Sequence, residues 1–433
     1  MSGASPSRPK VLVAMSGGVD SSVAAALLQR EGYDCVGVFM RLGSPGEALD
    51  ELIPGEACAS GSGGGAGGTP KVRIGKQGCC SINDAADARL VAAQLGIPFY
   101  VVNFKREFGR IIDYFVDEYA AGRTPNPCVR CNDWLKFGRL HEYAGQLGAD
   151  FVASGHYARV EATERRSDAA TEGGGGGAAS GARGGTFRLR RGLDHGKDQS
   201  YVLFGVPRGQ LARMLLPIGG FRKAEIRAMA ADLGLPVFDK PDSQEICFVP
   251  DNDYAGLVER RRPDLAATGR VLDESGRDVG EHGGQHRFTI GQRRGVGMAF
   301  GRRLYVVGKD PEANTVTLGP RERLLVGGCV AGEANWLVDV ARGEWFGALA
   351  RYRSNGALVG ARVRVMDEAA GGGDAPALGD GDAGTPSGRV GSFEVVFEEA
   401  QEAVAPGQAV VLYDAAEPDV VIGGGWITAT HAA

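Results

Sequence analysis

Residues 14–21, AMSGGVDS, combine residue types that bind phosphate chains. Gly17 and Gly18 have no Cβ, so their backbone can approach a ligand closely and can adopt positive φ. If a helix begins here, several backbone N–H groups face one anion at the positive end of the helix dipole. The Asp20 carboxylate could hold a magnesium ion against those phosphates. We call residues 14–21 the glycine loop; the alternative is an ordinary tight turn that binds nothing.

A second stretch, residues 123–132 (RTPNPCVRCN), combines thiols with positive charge. Its two prolines restrict the backbone, and Cys131 is predicted at or just before a helix N-terminus, where the dipole favours a thiolate. Arg130 adds positive charge beside it. These features indicate a thiolate nucleophile or a metal ligand, and Cys247, in SQEICFVP, supplies a further thiol. Each cysteine taken alone could instead be a small buried hydrophobic residue.

The remaining histidine and cysteine candidates are more ambiguous. His156 could act as a base or could be a hydrogen-bonded structural histidine. Cys79 and Cys80 are adjacent, which is poor geometry for binding one metal ion, so a structural role is favoured. Cys35 and Cys329 are predicted to be packing residues.

The elements that position these residues alternate between strands and helices in the first part of the chain. Apolar strands are predicted at residues 11–15, 34–40, 98–104 and 150–154, and helices at 19–28, 81–95, 105–120 and 131–147. This alternation predicts a doubly wound parallel sheet with helices on both faces. In such sheets ligands bind at the carboxyl ends of the strands, where the glycine loop lies.

The pattern becomes β-rich after Pro250. We predict an N-terminal α/β domain over residues 1–250, a small β-rich connector over 251–322 and a C-terminal β-barrel over 323–433. Short strands are expected at Arg287–Ile290 and Leu304–Val307 of the connector. Three Gly-rich segments, at 44–68, 167–185 and 369–391, are predicted to be flexible insertions in surface loops.

Composition narrows the class of protein. The chain has 433 residues, 43% of them hydrophobic, which is ordinary for a globular protein of several domains. It has no apolar run of membrane-spanning length, so a cytoplasmic protein without a membrane partner is expected. The net charge of −5 argues weakly against nucleic acid, yet residues 285–309 carry basic side chains and no acidic one, and could meet phosphates. A solvated basic face would have the same sequence.

Seven motifs together resemble one family. SGGVDSS, GRTPNPCVRCN, SGHYAR, GKDQSYVL, DSQEICFVP, FTIGQRRGVG and YVVGKD occur in the order seen in the tRNA-specific 2-thiouridylases. These enzymes are ATP pyrophosphatases that replace the C2 oxygen of the wobble uridine of tRNA with sulfur. The match extends over nearly the whole chain outside the three insertions.

The resemblance implies a role for each matching residue. ATP, with Mg²⁺, would contact Ala14, Met15, Ser16, Gly17, Gly18, Val19, Asp20, Ser21, Met40 and Gly155. A persulfide donor or sulfur-relay protein would load sulfur onto Cys247. Cys131 would attack to release sulfide, or would resolve the persulfide through a disulfide bond.

The resemblance also implies how tRNA would bind. Asn126, Pro127 and Cys128 would flank the flipped-out base, and Lys197, Asp198, Gln199, Arg351 and Tyr352 would hold the tRNA. The C-terminal barrel would grip the anticodon stem.

One departure keeps two mechanisms open. Many members of the family carry aspartate where this chain has Cys128, so Cys128, Cys131 and Cys247 could instead bind a 4Fe–4S cluster with an open fourth iron. The alternative functions are another ATP pyrophosphatase, such as an amidotransferase-type ligase, and a non-catalytic tRNA-binding protein. The intact glycine loop argues against the second, and the cysteine motifs argue against the first.

Overall fold

The structure is a computed structural model that describes residues 8–43, 82–163, 185–242, 246–249, 252–296, 301–366 and 391–433. The three predicted insertions lie outside the described residues except for Gly185 and Gly391, and so do Cys79 and Cys80. In the described part of the chain no helix is both long and apolar enough to cross a membrane.

The N-terminal part is built on a parallel sheet. Its strands and the neighbouring two-stranded hairpin are β1 (Lys10–Ala14), β2 (Asp34–Arg41), β3 (Phe99–Asn103), β4 (Phe151–Ser154), β5 (Ala158–Thr163), β6 (Thr186–Arg191) and β7 (Met214–Leu215). The helices are α1 (Val19–Arg30), α2 (Ile82–Leu95), α3 (Lys105–Ala120), α4 (Pro127–Arg130), α5 (Leu140–Gln146), α6 (Lys223–Asp232) and α7 (Tyr254–Arg261). The sheet order is β3-β2-β1-β4-β7, and every pair is parallel.

Strand β1 lies at the centre of this sheet and is buried on both faces. Val11 and Val13 pack into one hydrophobic cluster, whereas Leu12 and Ala14 pack into another on the opposite face. Alternate side chains of a strand point to opposite faces, so both faces of the sheet are covered. The predicted doubly wound α/β architecture is therefore confirmed.

One helical segment differs from the predicted helix at Cys131. The helix begins earlier, at Pro127, and runs to Gln146 as α4, a π-helical stretch at Cys131–Arg139 and α5. The prediction that Cys131 starts the helix is wrong because Pro127 occupies the first helical position, where its missing N–H costs nothing. We call residues 127–146 the cysteine helix.

The connector is a four-stranded sheet with the order β10-β11-β8-β9. Its strands are β8 (Gly269–Asp273), β9 (Asp278–His282), β10 (Tyr305–Asp310) and β11 (Thr315–Gly319). The predicted strand at Leu304–Val307 is confirmed as part of β10. The strand predicted at Arg287–Ile290 is wrong: Gln285–Arg287 forms a 3-10 turn, and Phe288 is buried in the core of the connector without pairing in its sheet.

The C-terminal part is a closed barrel with the order β12-β15-β14-β13-β16-β17. Its strands are β12 (Leu325–Trp336), β13 (Trp345–Arg351), β14 (Val359–Val365), β15 (Phe393–Glu402), β16 (Ala409–Asp414) and β17 (Val421–Ala432). The barrel shares a hydrophobic cluster with the N-terminal part, in which Tyr201 and Phe204 pack with Tyr413 and Trp426. Burial of this apolar surface holds the two parts together.

Candidate active site

The glycine loop connects β1 to α1 and closes through its own side chains. Ser16 N donates to Ser21 Oγ at 3.1 Å, and Ser21 and Ser22 both donate to the Gly18 carbonyl, at 3.2 and 2.8 Å. Gly17 has φ +73°, and a Cβ there would lie 2.2 Å from the Asp84 carbonyl oxygen. Only glycine fits this position, both for its conformation and for the close approach of α2.

Gly155 lies against the other side of the loop, at the carboxyl end of β4. A Cβ on Gly155 would lie 2.6 Å from Ser21 N and 2.7 Å from the Asp20 carbonyl carbon. The absence of a side chain lets the β4 end meet the N-terminus of α1 directly. The structure thus brings two predicted nucleotide-binding stretches together.

Asp20 is engaged by two residues that sequence reasoning missed. Lys223 Nζ lies 2.8 and 2.9 Å from the two carboxylate oxygens, and Tyr157 OH donates to Oδ1 at 2.8 Å. Burial, and to a smaller extent the nearby Asp20 charge, raises the pKa of Tyr157, so its hydroxyl stays protonated and remains a donor. A magnesium ion on Asp20 would therefore have to replace Lys223.

Two further charged residues, Asp242 and Lys240, lie near Asp20 and the glycine loop. Asp242 accepts from Lys197, Lys223 and Arg227 at 2.8 to 2.9 Å. Burial opposes ionisation of Asp242, but hydrogen bonds from Lys197 and Lys223 lower its pKa to about 2. Lys240 Nζ donates to the Gly17 carbonyl at 2.9 Å and ties the loop to α2.

The cysteine helix is capped by Asn126, a residue predicted to flank the base. Asn126 Oδ1 accepts from Val129 N at 3.4 Å, and Asn126 N donates to Tyr114 OH at 3.5 Å. Cys128, in the first turn, is exposed, and Cys131, one turn further, is half-buried. The helix dipole acts mainly within the first turn, so Cys128 is better placed for it than Cys131.

The π-helical stretch begins at Cys131, and two local features accommodate its wider helical register. Asn132 Nδ2 donates to the Cys128 carbonyl at 3.0 Å, which satisfies an oxygen next to the change of helical register. A Cβ on Gly138 would lie 2.9 Å from the Asp133 carbonyl oxygen, five residues earlier. Single π-helical interruptions are frequent at functional sites.

Contrary to the prediction, Arg130 does not place an unpaired positive charge beside Cys131. Its guanidinium is buried and donates to both carboxylate oxygens of Glu333, on β12, at 2.8 Å each. The charge is therefore paired with a carboxylate of the barrel.

Helix α3 supports both cysteine segments. Phe248, next to Cys247, packs edge-on against Phe108 and Phe115 of α3 at 5.6 and 5.2 Å between ring centroids. Tyr114, the neighbour of Phe115, packs against Trp134 of the cysteine helix at 5.9 Å.

The predicted site residues Cys131, Cys247 and Met40 are partly buried against the same hydrophobic cluster, which also contains Ala14 of the glycine loop. This cluster covers one face of the parallel sheet, so the structure brings the nucleotide and cysteine residues to a common region.

The cysteines were also candidates for a metal cluster. Among the residues that the structure describes, no group of three or more His, Cys, Asp or Glu side chains is arranged to hold a metal ion. Cys128, Cys131 and Cys247 therefore do not fit a three-cysteine cluster in this arrangement.

The residues predicted to hold tRNA divide into buried and accessible ones. Arg351 Nη1 donates to Asp198 Oδ2 at 2.7 Å, and both side chains are buried where the barrel meets the N-terminal part. Gln199 is bound to the backbone of Tyr157. Lys197 remains accessible beside Asp242, and Tyr352 is partly exposed on the barrel.

His156 and the basic connector segment are also placed. Burial, then the nearby Lys136 charge, holds the pKa of His156 well below its usual range, and its Nδ1 lies 2.7 Å from Ser154 Oγ. His156 is thus a buried, uncharged imidazole that is hydrogen-bonded to Ser154. In the connector, Lys309 points inward to the Phe288 carbonyl, whereas Arg293, Arg294, Arg302 and Arg303 are exposed.

Comparison with known proteins identifies the family. Residues 9–62 and 69–251 match the profile "tRNA methyl transferase HUP domain", 258–320 its PRC-barrel domain, and 385–427 an "Aminomethyltransferase beta-barrel domain". The chain is 45% identical to the tRNA-specific 2-thiouridylase MnmA of Rhodopirellula baltica, over 97% of this chain and 96% of that protein.

The relative from Geobacter metallireducens bears the same name and is 43% identical over 98% of this chain and 97% of its own. A solved NMN synthetase from Francisella tularensis superposes with a TM-score of only 0.28 at 15% identity, over 60% of this chain and 78% of its own. High identity over nearly full length, together with the glycine loop and the two cysteine segments, decides the assignment: this chain belongs to the tRNA-specific 2-thiouridylase family.

Proposed function

We propose that this protein uses ATP to replace the C2 oxygen of the wobble uridine of tRNA with sulfur, giving 2-thiouridine. The observation that carries the proposal is that nucleotide-site and thiol residues pack against the same hydrophobic cluster. Cys131, Cys247 and Met40 pack against one cluster that includes Ala14, at the end of the strand leading into the glycine loop. This shared face of the sheet supports nucleotide chemistry and thiol chemistry on one bound base.

The first step would be adenylation. The uridine O2 attacks the α-phosphorus of ATP, the bond to the β-phosphate oxygen breaks, and pyrophosphate leaves. The backbone at Gly17 and Gly18, with Ser16 and Ser21, would hold the pyrophosphate. Asp20 would bind Mg²⁺ after exchanging its contact with Lys223. The O2 then leaves as AMP.

The second step would deliver sulfur from a persulfide on Cys247. Its terminal sulfur attacks C2, and AMP departs with the former O2. The Cys131 thiolate then attacks the Cys247 Sγ and breaks the S–S bond, which leaves the C2 thiocarbonyl and a Cys131–Cys247 disulfide. A thiol reductant restores the enzyme, and an external persulfide donor reloads it. Attack by Cys131 that releases free sulfide is the alternative order of events.

The names of the matching profiles and the relatives differ in the group that is transferred. A methyl transfer would not need the adenylation that the glycine loop suits, nor paired thiol segments. Cys131 and Cys247 favour sulfur transfer, and the residues Trp134 and Phe248 of their segments pack against neighbouring residues of α3. Because the described side chains do not fit a three-cysteine cluster, we derive no step through a 4Fe–4S cluster.

The tRNA would bind across the cysteine helix and the barrel. Cys128 is exposed beside the cap residue Asn126 and Pro127, which suits contact with a flipped-out base. Lys197, Tyr352 and the exposed arginines of the connector can reach the phosphates and sugars. Asp198 and Arg351 would act by holding the barrel in place, because each is buried against the other.

An anaerobic thiolation assay tests the proposal. Unmodified tRNA transcript, ATP, Mg²⁺ and either sulfide or a persulfide donor are added to protein with and without reconstituted iron. We expect 2-thiouridine with the persulfide donor without iron. Product that requires iron would favour the cluster mechanism. Pyrophosphate release that needs no tRNA would favour another ATP-dependent ligase, and tRNA binding without pyrophosphate release would favour a non-catalytic binding protein.

A further inference from the structure

Arg130 is a buried cation that joins the cysteine helix to the barrel. Its side chain is 7% exposed, and its two terminal nitrogens donate to the two oxygens of Glu333 at 2.8 Å each, across 203 residues of sequence. Paired parallel hydrogen bonds of this kind fix orientation as well as distance. No step of the proposed chemistry uses this guanidinium.

An aromatic enclosure surrounds the same guanidinium. Its central carbon lies 3.9 Å from the ring centroid of Trp426 on β17, 4.9 Å from Trp134 and 5.1 Å from Tyr114. Cation–π contacts are strongest when the cation is desolvated, as here. Burial opposes the charge of Arg130, but the contacts with Glu333 outweigh burial and raise its pKa.

The position of Arg130 on the helix gives this contact its consequence. Cys128 and Cys131 are three residues apart and therefore share one face of the cysteine helix, whereas Val129 and Arg130, between them, are buried. Arg130 is also the last residue before the π-helical stretch. An anchor at this point determines how the first turn is rotated, and so where the thiols face.

Glu333 carries backbone strain that is consistent with this use. Its φ is +49°, in the left-handed region, at an irregularity in the pairing of β12 with β17 between Gly332 and Asn335. Such a conformation is unfavourable for glutamate and persists where the surroundings impose it. The irregularity directs the carboxylate towards the cysteine helix.

We propose that Arg130 is a positioning residue whose attachment to Glu333 and Trp426 of the barrel sets the orientation of Cys131. The barrel is then a part of the thiol site as well as a surface for RNA. Arg130 would orient Cys131 whatever reaction the protein catalyses, whereas its effect on turnover rests on the proposed sulfur transfer.

The first test measures the thiol directly. Glu333→Gln removes one hydrogen bond and the charge pairing, and Asp339→Asn is the matched control, since Asp339 of the barrel pairs in the same two-pronged way with Arg208, which belongs to neither cysteine segment. Iodoacetamide labelling of Cys131, followed by peptide mass spectrometry, should be about tenfold faster in Glu333→Gln and unchanged in Asp339→Asn. Equal labelling rates in both variants would overturn the proposal.

The second test separates positioning from general stability. In Glu333→Gln we expect kcat for thiolation to fall about tenfold, while the KM for tRNA and the rate of tRNA-dependent pyrophosphate release stay within about twofold of the wild-type values. Parallel loss of both rates would indicate a structural role and overturn the proposal. Arg130→Lys, which keeps the charge but not the fork, should behave like Glu333→Gln. If the wild-type protein thiolates nothing, the proposed function fails, and the labelling experiment still decides the role of Arg130.

Discussion

The glycine loop leads into the N-terminus of α1 and the cysteine helix starts at its own N-terminus, but the two are supported by different parts of the chain. The backbone of the glycine loop is closed by residues within it, as in the Ser16–Ser21 contact, five residues apart. The cysteine helix is oriented by Glu333 and Trp426 of a different part of the chain. Local sequence therefore shapes the backbone of the glycine loop, and packing against the barrel orients the cysteine helix.

The two sites should therefore be affected by substitutions in different parts of the chain. A substitution in the glycine loop should act at the nucleotide even when the barrel is intact. A substitution of Glu333 in the barrel should act on the thiols of the cysteine helix and leave the nucleotide unaffected.

Cys131→Ser removes the thiol of the cysteine helix without affecting the glycine loop. We expect thiolation to fall by at least about 1,000-fold, because the nucleophile is lost. Pyrophosphate release that depends on tRNA should continue. The two products are measured in one reaction, by nucleoside mass spectrometry and by a phosphate-coupled assay. Loss of pyrophosphate release as well would mean that the two sites are not separable.

Gly17→Ala places a Cβ at φ +73°, 2.2 Å from the Asp84 carbonyl oxygen. We expect the free energy of unfolding to fall by about 2–4 kcal/mol, from conformational strain and the clash, and ATP binding to be lost. Gly18→Ala is the control, because Gly18 has φ −99° and its Cβ would approach only Ser16 Oγ, at 3.5 Å. Denaturant titration and ATP calorimetry compare the two. Equal effects would contradict the geometry of the loop.

Lys223→Met leaves the Asp20 carboxylate without the cation that contacts both of its oxygens. Mg²⁺ would displace Lys223 from Asp20 and leave the lysine as a cation beside the phosphate site, so its loss should raise the KM for ATP about tenfold, a change of about 1.4 kcal/mol. Arg227→Met is the control, because Arg227 pairs with Asp242 and not with Asp20. Steady-state kinetics at fixed Mg²⁺ measure both. A similar KM in the two variants would show that Lys223 has no special role.

His141→Leu tests the packing of the cysteine helix. Burial, then the Arg213 charge, lowers the pKa of His141 from 6.5 to about 4, and neither ring nitrogen has a hydrogen-bond partner among the described residues. Below pH 6.5 the unfolded chain binds a proton that the folded protein does not, so stability falls as the pH drops towards 4.

The leucine variant should remove this loss, which is about 2 kcal/mol at pH 5 relative to pH 7. Urea unfolding at both pH values measures the difference between variant and wild type. The same pH dependence in the variant would assign it to other groups.

The predicted architecture was confirmed for elements whose type follows from the spacing of their hydrophobic residues. The buried strand before the glycine loop and the amphipathic α3 carry enough pattern to be identified alone. The strand expected at Arg287–Ile290 was wrong because Phe288 is buried by the core of the connector and not by sheet pairing. The helix start at Cys131 was wrong because Pro127 can begin a helix as well as precede one.

The site residues that were missed share one property: their partners are distant in sequence. Lys223 and Tyr157 meet Asp20 only after the chain folds, and Glu333 meets Arg130 across two domains. An isolated lysine or glutamate has no periodicity or spacing from which such a contact could be predicted. The motifs SGHYAR and CVRC contain Tyr157 and Arg130, but the motifs do not indicate these contacts.

The order of the elements, the parallel sheet with its glycine loop, the barrel and the cysteines available for chemistry can be predicted from the sequence, because these depend on short-range pattern and on residue type. The folded structure is needed to know which charge meets Asp20, that Arg130 pairs with Glu333, and that Asp198 and Arg351 bind each other. Burial decides these pairings, since a desolvated charge is stable only beside a partner, and which partner is near depends on how the domains pack.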